Sequence, residues 1–496
     1  MLANCFLGTR GPLVNVRLVG GHVASVGQAV PRTAKDEVID LEGKVLLPGL
    51  WDAHVHSGQW ATARHRLDVS AARSAREVGE FVARHMSVAA GKSSGPRGLV
   101  IAYGFRDGLW QDHPQDIDLQ AFAPGVPLVL LSNDLHTGWF SPAALELVGE
   151  DPRSNGLLRE HECFAAVQKL PSVPSNLLDE WVAQATTSAA QRGVTGILDF
   201  EHLTEADNVT AWLRRIGNHR IDVRVTSAVH VSQLDAAIGR GLRTGSVLPD
   251  GRGLLAVGPV KFFLDGSLNT RTAYCYDAYP DSDSNATAHG WLEISPSKLE
   301  LEMRKAVSHG LEPALHAIGD HANSMALDAF ESVGCRGRIE HAQLVRREDL
   351  RRFARPGLIV GIQPAHAPDD RDVADRFWAG RTDRSFPYAD LLAAGAKLEI
   401  GSDAPVAPMD PWDGIAAAVF RSDDERPAWH PEQSIPVEAA LQAACRGRFT
   451  VQPGDVADLV IVEKNPLHLE SEELRRMPVF GTLLGGRWTY RKESRS

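Results

Sequence analysis

Strand-like and helix-like segments alternate along most of this 496-residue chain, and that alternation constrains the fold more than any other feature. Short apolar runs fall at residues 50–56, 194–201, 222–230, 259–265, 312–317, 338–342, 358–364 and 397–402, and each has the length of a strand. Helical patterns lie between them. Ser74 and Glu77 form a capping box ahead of Val78, Phe81 and Val82. Ser295-Pro296 reads as an N-cap followed by proline at the first helical position, ahead of Leu299, Met303 and Val307. A parallel strand pair needs a crossover, usually helical, so strand–helix repetition predicts a parallel sheet. Eight such units fit a closed (β/α)8 TIM-like barrel. The gap between the first two strands is too long for one crossover and predicts an insertion at about residues 97–173.

The two ends of the chain read differently. Residues 13–19 and 22–26 flank Gly20-Gly21, a two-residue hairpin signal, and residues 482–484 and 487–490 flank Gly485-Gly486 in the same way. With 457–462 also strand-like, residues 1–47 and 453–496 are expected to pair into one small β-sandwich domain, leaving 48–452 for the barrel.

Composition excludes several classes. Hydrophobic residues make up 43% of the chain, enough for a large core, so disorder is excluded. The 52 basic and 63 acidic residues leave a net charge of −11 without a Lys/Arg block, which argues against nucleic-acid and anionic-membrane partners. Apolar stretches such as 126–131 are far shorter than the ~20 residues of a membrane helix, and the first residues lack a signal-peptide pattern. Five scattered cysteines without a C-x-x-C pair point away from disulfides and from a cysteine zinc site, toward a reducing compartment. The expected location is cytoplasmic.

Chemistry-bearing side chains gather where the proposed strands end, the end at which barrel enzymes place their sites. The first strand closes on Asp52-Ala53-His54-Val55-His56, and side chains two apart on a strand face the same way, so His54 and His56 can grip one metal ion. His316, His341 and Asp403 stand at the ends of the fifth, sixth and eighth strands. Any one of them could be a hydrogen-bonded core histidine or a capping aspartate; their coincidence at strand ends is the signal. Lys261, in Val260-Lys261-Phe262-Phe263, sits where an ammonium would be desolvated. It reads either as a strand-end lysine paired with Asp265 or as a neutral amine that captures CO2 to form a metal-bridging carbamate.

The blocks LLPGLWDAHVH, VKFFLDGSLNTRTA, ALHAIGD, RIEHAQL and GSDAPV resemble the signatures of the amidohydrolase superfamily. The likeness is strongest to its amidohydrolase 3 branch, which holds YtcJ-like proteins and N-substituted formamide deformylases. It implies a centre of His54, His56, carboxylated Lys261, His316, His341 and Asp403 around one or two divalent ions, Zn2+ foremost. It also implies hydrolysis of an amide, N-formyl or N-acyl C–N bond of a small-molecule substrate by metal-activated hydroxide. Asp403 would shuttle the proton, with His341 also catalytic. His136, Arg271, Trp110 and Trp139 are the expected substrate contacts. Asn269 and Thr270 replace the small pair of the family's DGSLGSRTA, and Asn133-Asp134-Leu135-His136 stands where an Asp-Gly-His stretch is common. The same site could serve a lactone, ester or cyclic-amide hydrolase, and a regulatory protein on this fold is a third reading. A homodimer is the assembly the resemblance allows.

Overall fold

Eight parallel strands follow one another in chain order: β1 (Leu50–Val55), β2 (Val194–Asp199), β3 (Arg224–His230), β4 (Leu255–Phe263), β5 (Pro313–Ala317), β6 (Gly337–His341), β7 (Leu358–Ile362) and β8 (Lys397–Ile400). They belong to a computed structural model that describes residues 1–31, 37–89, 98–202, 207–280 and 288–493. Hydrogen-bonded ladders join β1 to β2 and each strand to the next as far as β8. Beyond β8, Asp403 N donates to His54 O (2.7 Å) and His56 N donates to Ala404 O (2.9 Å), which closes the ring at its C-terminal end. Every residue of β2, β5 and β6 is buried, the pattern of a parallel sheet covered on both faces.

All eight expected strands are present. The fourth begins at Leu255, before the expected residue 259. In the fold Gly258 lies against β3, where a Cβ would stand 2.8 Å from Ala228 N, and the register shifts there between Ser227 and Val229. Half of the capping box forms at helix Ala75–Ala89: Glu77 N donates to Ser74 Oγ (3.1 Å), while the Glu77 carboxylate accepts from Arg73 N (2.8 Å), one residue ahead of the cap. At helix Pro296–Ser308, Ser295 holds the N-cap backbone position without capping through its hydroxyl.

Both chain ends enter one sheet. Its order is Arg487–Arg491, Val479–Leu484, Leu459–Val462, Val45–Pro48, Leu2–Leu7, Leu13–Val19 and His22–Gly27, with Ile39–Asp40 beside Leu2–Leu7. The antiparallel pairing of Leu459–Val462 with Val45–Pro48 joins the two ends. An isolated bridge between His22 and Val456 brings the far edge back to the approach of Leu459–Val462. Leu2, Val16, Leu46, Leu459 and Ile461 fill the core between.

The insertion builds a sheet of its own, in the order Leu157–Arg159, Thr137–Phe140, Leu128–Ser132, Val100–Phe105 and Leu67–Asp68. Alternate side chains feed two cores: Leu128, Leu130 and Trp139 enter one, Val129, Leu131 and Phe140 the other. The edge strand Leu67–Asp68 lies upstream of the expected start at residue 97, and Arg97 itself is outside the described residues. No helix among the described residues is long and apolar enough to cross a membrane.

Candidate active site

His54 and His56 leave the end of β1 on the same side, as strand geometry requires, and both reach Asp403 just beyond β8. His54 Nε2 is 3.5 Å and His56 Nε2 3.2 Å from Asp403 Oδ1. His341, at the end of β6, brings its ring centroid to 4.9 Å from that of His54. Ligand atoms of His54, His341 and Asp403 all lie within 4.8 Å of one another, a spacing that one divalent ion can span. His316, at the end of β5, packs its ring 4.4 Å from that of His341, and Lys261 Nζ, on β4, is 3.4 Å from His54 Nε2. The six strand-end residues therefore converge at one mouth of the barrel.

The electrostatics suit a cation. Burial, reinforced by Lys261, lowers His54 to about 4, and burial holds His316 and His341 well below the usual histidine range, so these imidazoles are neutral donors. Burial acts to raise the Asp403 carboxyl, but His54, His56 and His341 overcome it and hold the group well below the usual carboxylate range. His56 Nδ1 and His341 Nδ1 are buried without a partner. Burial acts to lower His56, but Asp403 raises it; the three neutral imidazoles beside an ionised carboxylate suit a divalent metal.

Lys261 is 2% exposed, and burial lowers its ammonium to about 8. Its Nζ lies 4.4 Å from the Phe200 ring centroid and 5.1 Å from that of Phe263. The alternative pairing with Asp265 does not form. The Asp265 carboxylate accepts instead from the backbone N–H groups of Tyr274 (2.9 Å), Ile318 (3.1 Å) and Gly319 (2.8 Å), tying the loop after β4 to the end of β5.

Two supports escaped the sequence reading. Glu340 accepts from His54 Nδ1 (2.8 Å) and is itself held by Arg338 (2.6 Å), which also bonds Glu399. This fixes which nitrogen of His54 faces the centre. Gly361 makes room for it, since a Cβ there would lie 1.9 Å from Glu340 Oε2. Charged residues at alternate positions of the otherwise buried β6 were the available signal. The second support is Glu160, 4% exposed, which accepts from His136 Nδ1 and from the Thr270 and Thr272 hydroxyls, each at 2.7 Å. It joins the insertion to the loop after β4, and Ser267 Oγ adds a bond to Asp134 (2.9 Å). Thr270, one of the departures from the family pattern, thus docks the insertion.

The expected substrate contacts separate. His136 stands at the seam beside the centre, with Nδ1 committed to Glu160. Burial acts to lower it, yet Glu160 raises it to about 9. Arg271 lies 5.4 Å from the Phe377 ring, in the loop over the mouth. Trp110 and Trp139 pack into the insertion core, Trp139 at 1% exposure and Trp110 against Phe105. Two indole-sized apolar surfaces are what the small insertion sheet needs to bury a core.

Comparison with known proteins fits this geometry. The chain is 29% identical over 500 residues to Protein LONG AFTER FAR-RED 3 of Arabidopsis thaliana, covering 91% of this chain and 83% of that one. It is 25% identical over 536 residues to the N-substituted formamide deformylase of Arthrobacter pascens, covering 96% and 95%. In three dimensions it is similar to an uncharacterized metal-dependent hydrolase from Pyrococcus horikoshii OT3, with a TM-score of 0.77, 24% identity and coverage of 95% and 98%. The profile of the Amidohydrolase family matches residues 37–490, from just ahead of the barrel to the last strand of the terminal sheet. A match of that extent, over a chain whose strand ends gather such a donor set, means that this hydrolase belongs to the amidohydrolase family.

Proposed function

We propose that the protein hydrolyses a carbon–nitrogen bond of a small molecule, an N-formyl or N-acyl amine, with one or two divalent ions, zinc foremost, held by His54, His56, Lys261, His316, His341 and Asp403. The observation that carries this reading is the Asp403 carboxylate set between two imidazoles, 3.5 Å from His54 Nε2 and 3.2 Å from His56 Nε2. When bound, such an ion makes water acidic near neutral pH and polarises a carbonyl oxygen.

The chain's own residues do the rest. Asp403 accepts the proton of the attacking water and passes it to the departing nitrogen, which is a poor leaving group until protonated. His136, fixed by Glu160 at Nδ1, offers Nε2–H to the acyl oxygen or to the substrate beside it. Lys261, with a depressed pKa, adds to CO2 through its neutral amine and releases a proton, giving a carbamate that joins the ligand set. The name of the formamide deformylase relative supports the choice of bond. The five cysteines, all described and none in a disulfide, support a cytoplasmic setting.

The test has two arms. Elemental analysis of the purified protein should find a divalent metal, and chelation should abolish activity that added Zn2+ restores. A panel of N-formylamines, N-acylamines, hydantoins, lactones and esters should then show turnover of the first two classes. A protein that neither holds nor takes up metal would defeat the hydrolytic centre, and a clear lactone or ester preference would replace the assigned bond.

A further inference from the structure

Helix His366–Phe377 follows β7 and begins at the same mouth of the barrel as the metal-ligand residues. His366 and Asp370, four apart, share one face of it, and Val373 and Phe377 continue that face. The face looks toward the insertion and the loop after β4: Arg271 stacks on Phe377, and the adjoining Asp369 pairs with Arg106 of the insertion (3.1 Å).

This face carries polar groups without partners. His366 is 6% exposed, and its Nδ1 lies 3.4 Å from Gln343 Nε2. Among the described residues its buried Nε2 has no hydrogen-bond partner, and neither has Gln343 Oε1. Gln343 stands two residues beyond His341, and Gln363 Nε2 is 3.4 Å from His54 Nδ1, so the two glutamines connect this face to the six-residue centre. Among the described residues the Asp370 carboxylate has neither a hydrogen-bond donor nor an ion-pair partner. Burial raises it to about 6, against the pull of His366, with Asp369 and Asp134 also raising it and Arg106 opposing them. Asp134 accepts from the Ser132 and Ser267 hydroxyls and from His136 N (3.2 Å). Asp369, Asp370 and Asp423 act on the Arg106 guanidinium, and Arg271 stands on the same face over Phe377.

We infer that Asp370 and His366 form a subsite for a protonated amino group, and that the substrate is an acylated amine carrying a second, cationic nitrogen. The substrate class rests on the C–N hydrolysis proposed above; the subsite does not. An ammonium has three donors and no acceptor. The face offers the complement: the Asp370 carboxylate and the unpartnered Gln343 Oε1, with His366 Nε2 beside them. A neutral alkyl end would leave these groups desolvated and unpaired, and a carboxylate end would meet like charge.

Calorimetric titration with mono-N-acetyl-diaminoalkanes of increasing chain length, against the neutral N-alkylacetamides and the anionic N-acetyl-ω-amino acids of matching length, tests the subsite. The Asp403→Asn protein is used so that binding is read without turnover, alone and with Asp370→Asn or Asp370→Glu added. The best acetyl-diamine should bind at least about tenfold tighter than its neutral counterpart, with the acid weakest. Asp370→Asn should erase that preference and Asp370→Glu should keep part of it, with melting temperatures unchanged. Equal binding of amine and neutral probe, or a preference that survives Asp370→Asn, would overturn the subsite. Hydrolysis of neutral amides without charge preference would leave the reaction standing and remove the subsite. A persistent ammonium preference in a protein that cleaves no amide would do the reverse.

Discussion

Asp52 holds Ser402: the serine donates both its backbone N–H (2.9 Å) and its hydroxyl (2.5 Å) to one carboxylate, which also accepts from His54 N (3.1 Å). The residue two before His54 thus fixes the residue just before Asp403, and the first and last barrel strands set the spacing between the imidazoles and the carboxylate. Asp403 and His341 both adopt a left-handed backbone, with φ of 58° and 77°, conformations a non-glycine residue keeps only where its surroundings enforce them. Replacing Asp52 by alanine strands three buried donors. We expect Asp52→Ala to lose about 3 kcal/mol of stability and 10- to 100-fold in metal affinity. Metal titration followed by fluorescence and thermal melts measure both; unaltered affinity would mean that Asp403 is held by its own backbone alone.

Asp403→Asn keeps an oxygen at the ligand position and removes the proton acceptor. The expected outcome is retained metal with kcat reduced by about 10²- to 10⁴-fold. Metal content and turnover measured on one preparation check this, and near-normal turnover at full occupancy would remove Asp403 as the shuttle.

The Glu160–His136 pair makes a pH-dependent contribution whose sign follows from its two shifts. Glu160 is lowered to about 2, since His136, Thr270 and Thr272 outweigh burial, so its contribution is complete above pH 4.5 and fades as pH falls toward 2. His136 is raised to about 9, so its contribution is complete below pH 6.5 and disappears as pH rises through 9. The pair therefore stabilises most between about pH 4.5 and 6.5. Glu160→Gln should lower Tm by about 2–5 °C in that window and by less at pH 10. A difference independent of pH would mean that the threonine bonds, not the ion pair, carry the effect.

Trp139 separates packing from binding. Trp139→Ala should cost about 3–5 kcal/mol as the insertion core loses its largest side chain. Trp139→Phe should restore most of that, with KM unchanged for any substrate that turns over. A KM shift of tenfold in a stable Trp139→Phe protein would return the residue to the pocket.

How far the site could be read in advance depended on how local its determinants are. The candidate ligand residues sit at the ends of apolar strands, and strand periodicity alone places His54 and His56 on one side. Barrel topology then brings the ends of β5, β6 and the segment after β8 to the same mouth. Glu160, His366 and Asp370 carried no such mark. Glu160 gains its role from an insertion that packs its first turn against the loop after β4, and Asp370 from a helix face directed under that insertion. The packing of the tryptophans was not legible for the same reason, because the sequence does not say which indoles a small sheet must bury.

The sequence by itself determined the alternating architecture and the candidate residues at the strand ends, since the first follows from short-range periodicity and the second from residue chemistry at those ends. The tertiary structure decided which nitrogen of His54 faces the centre, what holds Asp403 in place, and which charges remain unpaired over the mouth. Those depend on contacts between residues hundreds of positions apart, such as His54 with Glu340 and Asp52 with Ser402, whose distances only the closed barrel sets.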